Sequence, residues 1–235
     1  MGQTRAQLKI TVRTNLDDLG VSFYSEDDLN DSLQDAYDDI VCMSQCITKT
    51  VNLNWLSQLT YINFVSDYGL TDYLATVAIF NYSTNRWLRD DLTLRDLDRL
   101  RRDWELWIGT PQFWCSSDPL HIAIAPKYMN VAAVEGAFNP LAFSNAFFIG
   151  ATFGTLGSFK LIYWAQAPAL VSDLSTFLTA SDVQNMFEFY CTADMLEGAE
   201  EYSKASEYWE KYYNSLIEYS SRVKRNNKHD LLLRV

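Results

Sequence analysis

Four amphipathic helix signals, two opening the chain and two closing it, constrain its fold more than any other feature. Leu8, Val12, Leu16 and Leu19 follow one another at helical spacing, one stripe along a helix from about Thr4 to Leu19. Gly20 reads as its C-cap. Ser25, with Asp28 three residues on, reads as the N-cap of a second helix from about Glu26 to Thr48, whose first turn is acidic. Leu29, Leu33, Ala36, Tyr37, Ile40 and Val41 form its buried face, and Asp31, Asp35, Asp38 and Asp39 its solvated one.

Near the other end, Ser181 and Gln184 predict a capping box for a helix from about Asp182 to Leu196. After Gly198, Tyr202, Ala205, Tyr208, Trp209, Tyr212, Leu216, Tyr219 and Val223 mark a fourth helix from about Ala199 to Val223. Two helical hairpins of this kind can cover their apolar stripes against each other. The fold class expected is therefore α+β: a four-helix bundle of N- and C-terminal helical hairpins, a large β-rich insertion in the middle, and an extended C-terminal tail. The corresponding boundaries are 1–49, 50–180, 181–223 and 224–235.

The insertion alternates in the manner of strands. Val51, Leu53 and Trp55, then Leu59 and Tyr61, alternate with polar residues; Tyr73 to Asn81 is another strand candidate. Thr93 and Asp96 cap one short helix carrying Leu97, Leu100, Trp104 and Leu106, its charges balanced in sign. His121 to Pro126 and Ser158 to Trp164 read as further strands, the latter apolar on both faces. Between them residues 128–157 form a long apolar loop with Glu135 as its lone charge. Phe143, Phe147, Phe148 and Phe153 stand out there as anchors for a subunit or tail-protein interface, because an apolar loop left open would aggregate.

A net charge of -11 disfavours tight, non-specific nucleic-acid binding. Residues Met1 to Arg5 lead into a polar helix without an apolar leader run. Four cysteines (Cys42, Cys46, Cys115, Cys191) fit no disulfide framework or zinc spacing and read as structural thiols. The sequence matches no nucleophile elbow, zinc-protease helix, P-loop or dinucleotide fingerprint. No catalytic, metal-ligating or cofactor-binding residue is nominated, and the expectation is a protein that is not an enzyme and carries no cofactor.

The last residues change character. Arg222, Lys224, Arg225, Lys228 and Arg234 face Asp230 alone and surround Leu231, Leu232 and Leu233. Leucines in a basic tail suit a segment that orders on a partner.

The order of these motifs resembles the head-to-tail adaptor (head-completion) proteins of tailed bacteriophages. The opening carries Leu8, Val12-Arg13, Leu16, Asp18 and Gly20, then Phe23-Tyr24-Ser25-Glu26-Asp27-Asp28-Leu29-Asn30-Asp31, Leu33 and Ala36-Tyr37. Gly109 and Pro111, then Ile122, Ile124 and Pro126, resemble the family's central β part; Lys160 to Trp164, Pro168 and Leu170 resemble its last strand and exit. Ala193, Ala205 and the aromatic fourth helix resemble its closing hairpin, whereas residues 128–157 depart from the pattern as an insertion. The resemblance implies a structural virion protein at the head-tail junction, made in the host bacterial cytoplasm. It implies a ring of copies of itself, usually twelve, below the portal protein, which extends the DNA channel and docks a tail or nozzle protein. Double-stranded DNA would pass without sequence-specific contact. Arg222, Lys224, Arg225, Leu231, Leu232 and Leu233 are the residues expected at the portal. The alternative is a tail-associated carbohydrate-binding or hydrolase module whose aromatics stack on sugars.

Overall fold

The computed structural model describes residues 4–18, 23–56, 59–118, 121–128, 157–175, 177 and 183–232, with side chains as far as Val223. It divides into two compact units: residues 1–47 with 165–235, and residues 48–164.

The first unit is helical. Helix α1 (Arg5–Asn15) starts at a capping box in which the Thr4 hydroxyl accepts from Gln7 N and the Gln7 side chain accepts from Thr4 N. It stops five residues before Gly20, because Leu16 caps it and Asp17 turns the chain at φ 54°. Helix α2 (Glu26–Ser44) is capped by Ser25, which accepts from Asp28 N at 3.1 Å, and ends at left-handed Gln45. Two helices of the second unit take the labels α3 (Phe64–Tyr68) and α4 (Leu94–Leu100). The closing helices of the first unit are then α5 (Gln184–Gly198) and α6 (Tyr202–Leu232).

This arrangement corrects the expected four-helix bundle of terminal hairpins. Helix α1 packs against α5, and α2 against both α5 and α6, but α1 and α2 do not line one another among the described residues. The physical reason is the early stop of α1, which leaves a long link before α2 and too short a helix to cover it. The extended tail is also corrected: α6 continues without a break through the basic residues to Leu232. The fold remains α+β, with six α-helices and seven strands among the described residues.

Ion pairs fold the link. Arg5, Lys9 and Arg13 lie one turn apart along α1. Arg13 donates to Asp18 at 2.8 Å, both side chains being about 95 % buried, and to Glu26 at 2.8 Å. The Asp18 carboxylate also accepts from the backbone N of Phe23 and Tyr24. Lys9 bridges Glu26 and Asp173, each at 2.7 Å, and Arg5 reaches Asp173 and the Leu170 carbonyl. Burial works to lower the Lys9 pKa, but hydrogen bonds to Asp173 and Glu26 outweigh it and hold the ammonium above its usual 10.5. The hydrogen bonds from Lys9 and Arg13 hold Glu26 below its usual 4.5. The same segment is tied to α2, where Gln34 accepts from Leu170 N, and Phe177 packs edge-on to Tyr37 and close to Phe187.

The second unit holds two antiparallel sheets. Strands β1 (Thr48–Asn54), β3 (Tyr73–Asn81), β4 (Arg86–Trp87) and β7 (Ser158–Ala165) form one in the order β1-β7-β3-β4. Strands β2 (Tyr61–Asn63), β5 (Phe113–Ser116) and β6 (His121–Ala125) form the other in the order β2-β6-β5. β7 is central in its sheet and buries Phe159, Leu161, Ile162 and Tyr163, as a strand covered on both faces must. Leu97 of α4, whose N-terminus carries the Thr93 and Asp96 capping box, and buried Trp104 of the 3-10 turn that follows (Trp104–Leu106) pack with Cys115, Ala123 and Ala125 of the three-stranded sheet.

Candidate functional site

The end of α6 was the sequence's strongest nomination, and its geometry follows from helix length. At 1.5 Å per residue α6 is about 46 Å long, against about 28 Å for α2 and about 22 Å for α5. It is therefore longer than anything it packs against. Its packed portion carries buried Ala205, Tyr212, Leu216 and Tyr219. Arg222 is exposed, its guanidinium 5.7 Å over the Tyr219 ring. Lys224, Arg225, Leu231 and Leu232 follow on the same helix, and Leu233 lies outside the described residues. Cations at a helix C-terminus complement its dipole, which helps the basic run to stay helical.

The other nominated residues, Phe143, Phe147, Phe148 and Phe153, also lie outside the described residues. What the structure does show is the neck of that segment. Gly157 N donates to Tyr128 Oη at 2.9 Å, Trp55 N donates to the Gly157 carbonyl at 2.7 Å, and the Trp55 ring stacks on Tyr128 and Phe159. A Cβ on Gly157 would stand 2.8 Å from the Tyr128 ring, so a larger residue there must displace the ring and its hydrogen bond. The two ends of the excursion thus meet.

Along α5 and α6 the aromatic stripe is a packed layer. Tyr190 meets Trp209 edge-on at 5.0 Å and Tyr212 at 5.2 Å, and Trp209 N–H donates to Glu197 at 2.9 Å. Tyr212 donates to Asp39 of α2, and burial together with that carboxylate raises its pKa. The Trp209–Tyr213 stack (5.9 Å between centroids) lies at the solvent edge of this layer, Tyr213 being 54 % exposed, and Tyr202 is also exposed.

One polar array escaped the sequence reading. Asn63 caps α3, its Oδ1 accepting from Val65 N at 3.0 Å and Ser66 N at 3.1 Å. That orientation aims Nδ2 at His121 Nε2, 3.2 Å away, while the Asp118 carboxylate lies 2.9 Å from His121 Nδ1. Both ring nitrogens are engaged: Nδ1–H donates to Asp118 and Nε2 accepts from Asn63. With no free lone pair, the ring ties Asp118 to Asn63 at the start of α3 and is not placed as a base or metal ligand. Asp118 and His121 flanking Pro119-Leu120 was the available signal, a turn signature with an acid three residues before a histidine.

Among the described residues no three His, Cys, Asp or Glu side chains gather as a metal-binding group, and no helix is long and apolar enough to cross a membrane. The four cysteines are free thiols: Cys42 is exposed, Cys46 half-buried, Cys115 and Cys191 buried. Burial pushes the Cys191 thiol up to about 12 and raises that of Cys115. Comparison with protein-family models and with curated proteins finds no match.

Proposed function

We propose that this protein is a head-to-tail adaptor of a tailed bacteriophage, a ring-forming virion protein that sits below the portal, extends the DNA channel and receives the tail or nozzle. The observation that carries this reading is α6, one 31-residue helix that outruns its packing partners and ends in a basic, leucine-rich segment. A helix end of that composition is suited to insertion into a partner ring: the leucines supply apolar area and the cations register. In this role Arg222, Lys224, Arg225, Leu231, Leu232 and Leu233 form the portal contact. The excess of acid, net charge -11, supports a conduit along which DNA slides, since neutralised phosphates would release counterions and hold the duplex in place.

Deleting residues 226–235 tests the reading. The truncated protein should fold, because the packed part of α6 is intact, and should fail to join portal-bearing heads. Normal joining by the truncated protein would remove the tail from the account. The outward Trp209–Tyr213 stack favours a sugar-binding role as the second reading. Saturable binding of host-surface glycans by the isolated protein, lost in Tyr213→Ala, would select it.

A further inference from the structure

Among the described residues four strands border the two sheets of the second unit, and three of these edges are blunted. β4 is two residues long and β2 three. The outer edge of β5 is covered by the chain itself: Arg89 N donates to the Gln112 carbonyl and Trp114 N to the Arg89 carbonyl, each at 2.9 Å. β1 has none of these protections. It runs for seven residues, contains no proline, and pairs with β7 residue for residue without a bulge. Its one charged residue, Lys49, is paired with Asp72. A long edge left in this state is a template for another strand.

The ladder fixes which groups point outward. Trp55 N donates to the Gly157 carbonyl at 2.7 Å and Ala165 N to the Ile47 carbonyl at 3.0 Å, one bond beyond each end of the β1–β7 pairing. Antiparallel bonding alternates, so Lys49, Val51 and Leu53 bond to β7 while Thr48, Thr50, Asn52 and Asn54 turn their N–H and C=O away from it. The Asn54 carbonyl is met by the Tyr68 hydroxyl, which donates to it at 2.8 Å. The outward backbone groups of Thr48, Thr50 and Asn52 have no partner among the described residues.

The side chains say what kind of strand fits. Val51 and Leu53 are half-buried, beside Leu161 and Phe159 of β7, which are fully buried. Thr48, Thr50 and Asn52 are exposed on the opposite face. Apolar side chains on an added strand would extend the cover over Val51 and Leu53, and polar ones would lie beside Thr50. We infer that the outer edge of β1 is a docking site for an extended segment of a partner protein, which adds to this sheet as an antiparallel fifth strand of alternating polarity. Neither α6 nor a portal enters this inference, so its failure is separable from failure of the adaptor reading.

Amide exchange of the full chain, followed by NMR, tests it with a synthetic peptide of alternating valine and threonine, ended by glutamates, as the probe. In the free protein the Thr50 and Asn52 amides should exchange about a hundredfold faster than those of Val51 and Leu53. Added peptide should slow Thr50 and Asn52 about tenfold. In the antiparallel register the threonines of the peptide stand opposite Thr50 and Asn52, so their amides donate to β1 and the valine amides point away. Methylating the threonine nitrogens should therefore weaken binding about tenfold, and methylating the valine nitrogens should not. Thr50→Pro removes an outward donor, spares the bonds to β7, and should weaken binding likewise. Four results overturn the inference: Thr50 and Asn52 already protected in the free protein, protection that grows with protein concentration alone (a second copy as the occupant), no protection at millimolar peptide, or equal binding by the two methylated peptides.

Discussion

Replacing Asp18 by Ala probes the strongest local interaction in the helical unit. Asp18 and Arg13 pair at 2.8 Å with about 95 % of each side chain out of water, and Asp18 also accepts from two backbone N–H groups of the link. Removing one member of a buried pair costs about 3–5 kcal/mol, mostly because the other charge stays desolvated. Arg13 keeps Glu26 and the Tyr24 carbonyl, so the lower end, about 3 kcal/mol, is expected. For a chain of this length that corresponds to a fall in Tm of roughly 6–12 °C. Urea unfolding followed by far-UV circular dichroism gives the free energy, and thermal melts give the shift. Asp18→Asn should lose less, since the amide oxygen still accepts from the link. Asp173→Ala, at an exposed carboxylate of the same network, should leave the midpoint essentially where it is. An Asp18→Ala protein within about 0.5 kcal/mol of wild type would refute the reasoning, for that is the behaviour of a surface charge.

Other expectations follow from the same geometry. Glu26, held below 4.5, contributes stability that is complete above that value and is lost as the pH falls through its depressed folded value; Glu26→Gln should flatten that acid limb in a pH series of urea midpoints. Lys9, held above 10.5, acts in the opposite direction, its contribution persisting below 10.5 and disappearing as the pH rises through the raised value. Gly157→Ala should cost about 1–3 kcal/mol through overpacking against Tyr128, and Tyr128→Ala should remove that extra penalty in the double variant. Replacing residues 130–155 by a short Gly-Ser link should leave the near-UV signal of the second unit intact, whereas Phe147→Asp should disturb assembly more than folding. Thiol reagents should label Cys42 rapidly in the native protein and reach Cys191 only on unfolding, as mass spectrometry of timed aliquots would show.

Where local chemistry decides, the sequence was legible. Ser25 and Thr93 cap the helices they announce, and the alternation from Tyr73 to Asn81 marks a strand with those limits. The start of α5 is different: Ser181 lies outside the described residues, and Val183 stands at the N-cap without a side-chain bond. Gly20 misled because a glycine is the commonest stop, while here Asp17 adopts the left-handed conformation first and Asp18 is drawn to Arg13. The change of charge at Arg222 suggested the end of a helix, yet Lys, Arg and Asn carry small helix penalties and cations suit a C-terminus. Pairing of β1 with β7 joins residues more than a hundred positions apart, which no local period encodes. The Asp118–His121–Asn63 brace was hidden for the same reason, since Asn63 reaches His121 through strand pairing. For the proposed portal segment, composition and helical continuation are readable in one chain, but the surface it would fit belongs to another protein.

The portal therefore decides the central claim. Negative-stain microscopy of this protein mixed with a portal protein from the same source should show a second ring stacked below the first, lengthening the central channel. Portals that stay bare next to unassociated protein, under conditions where the wild-type α6 end is intact, would contradict the adaptor account.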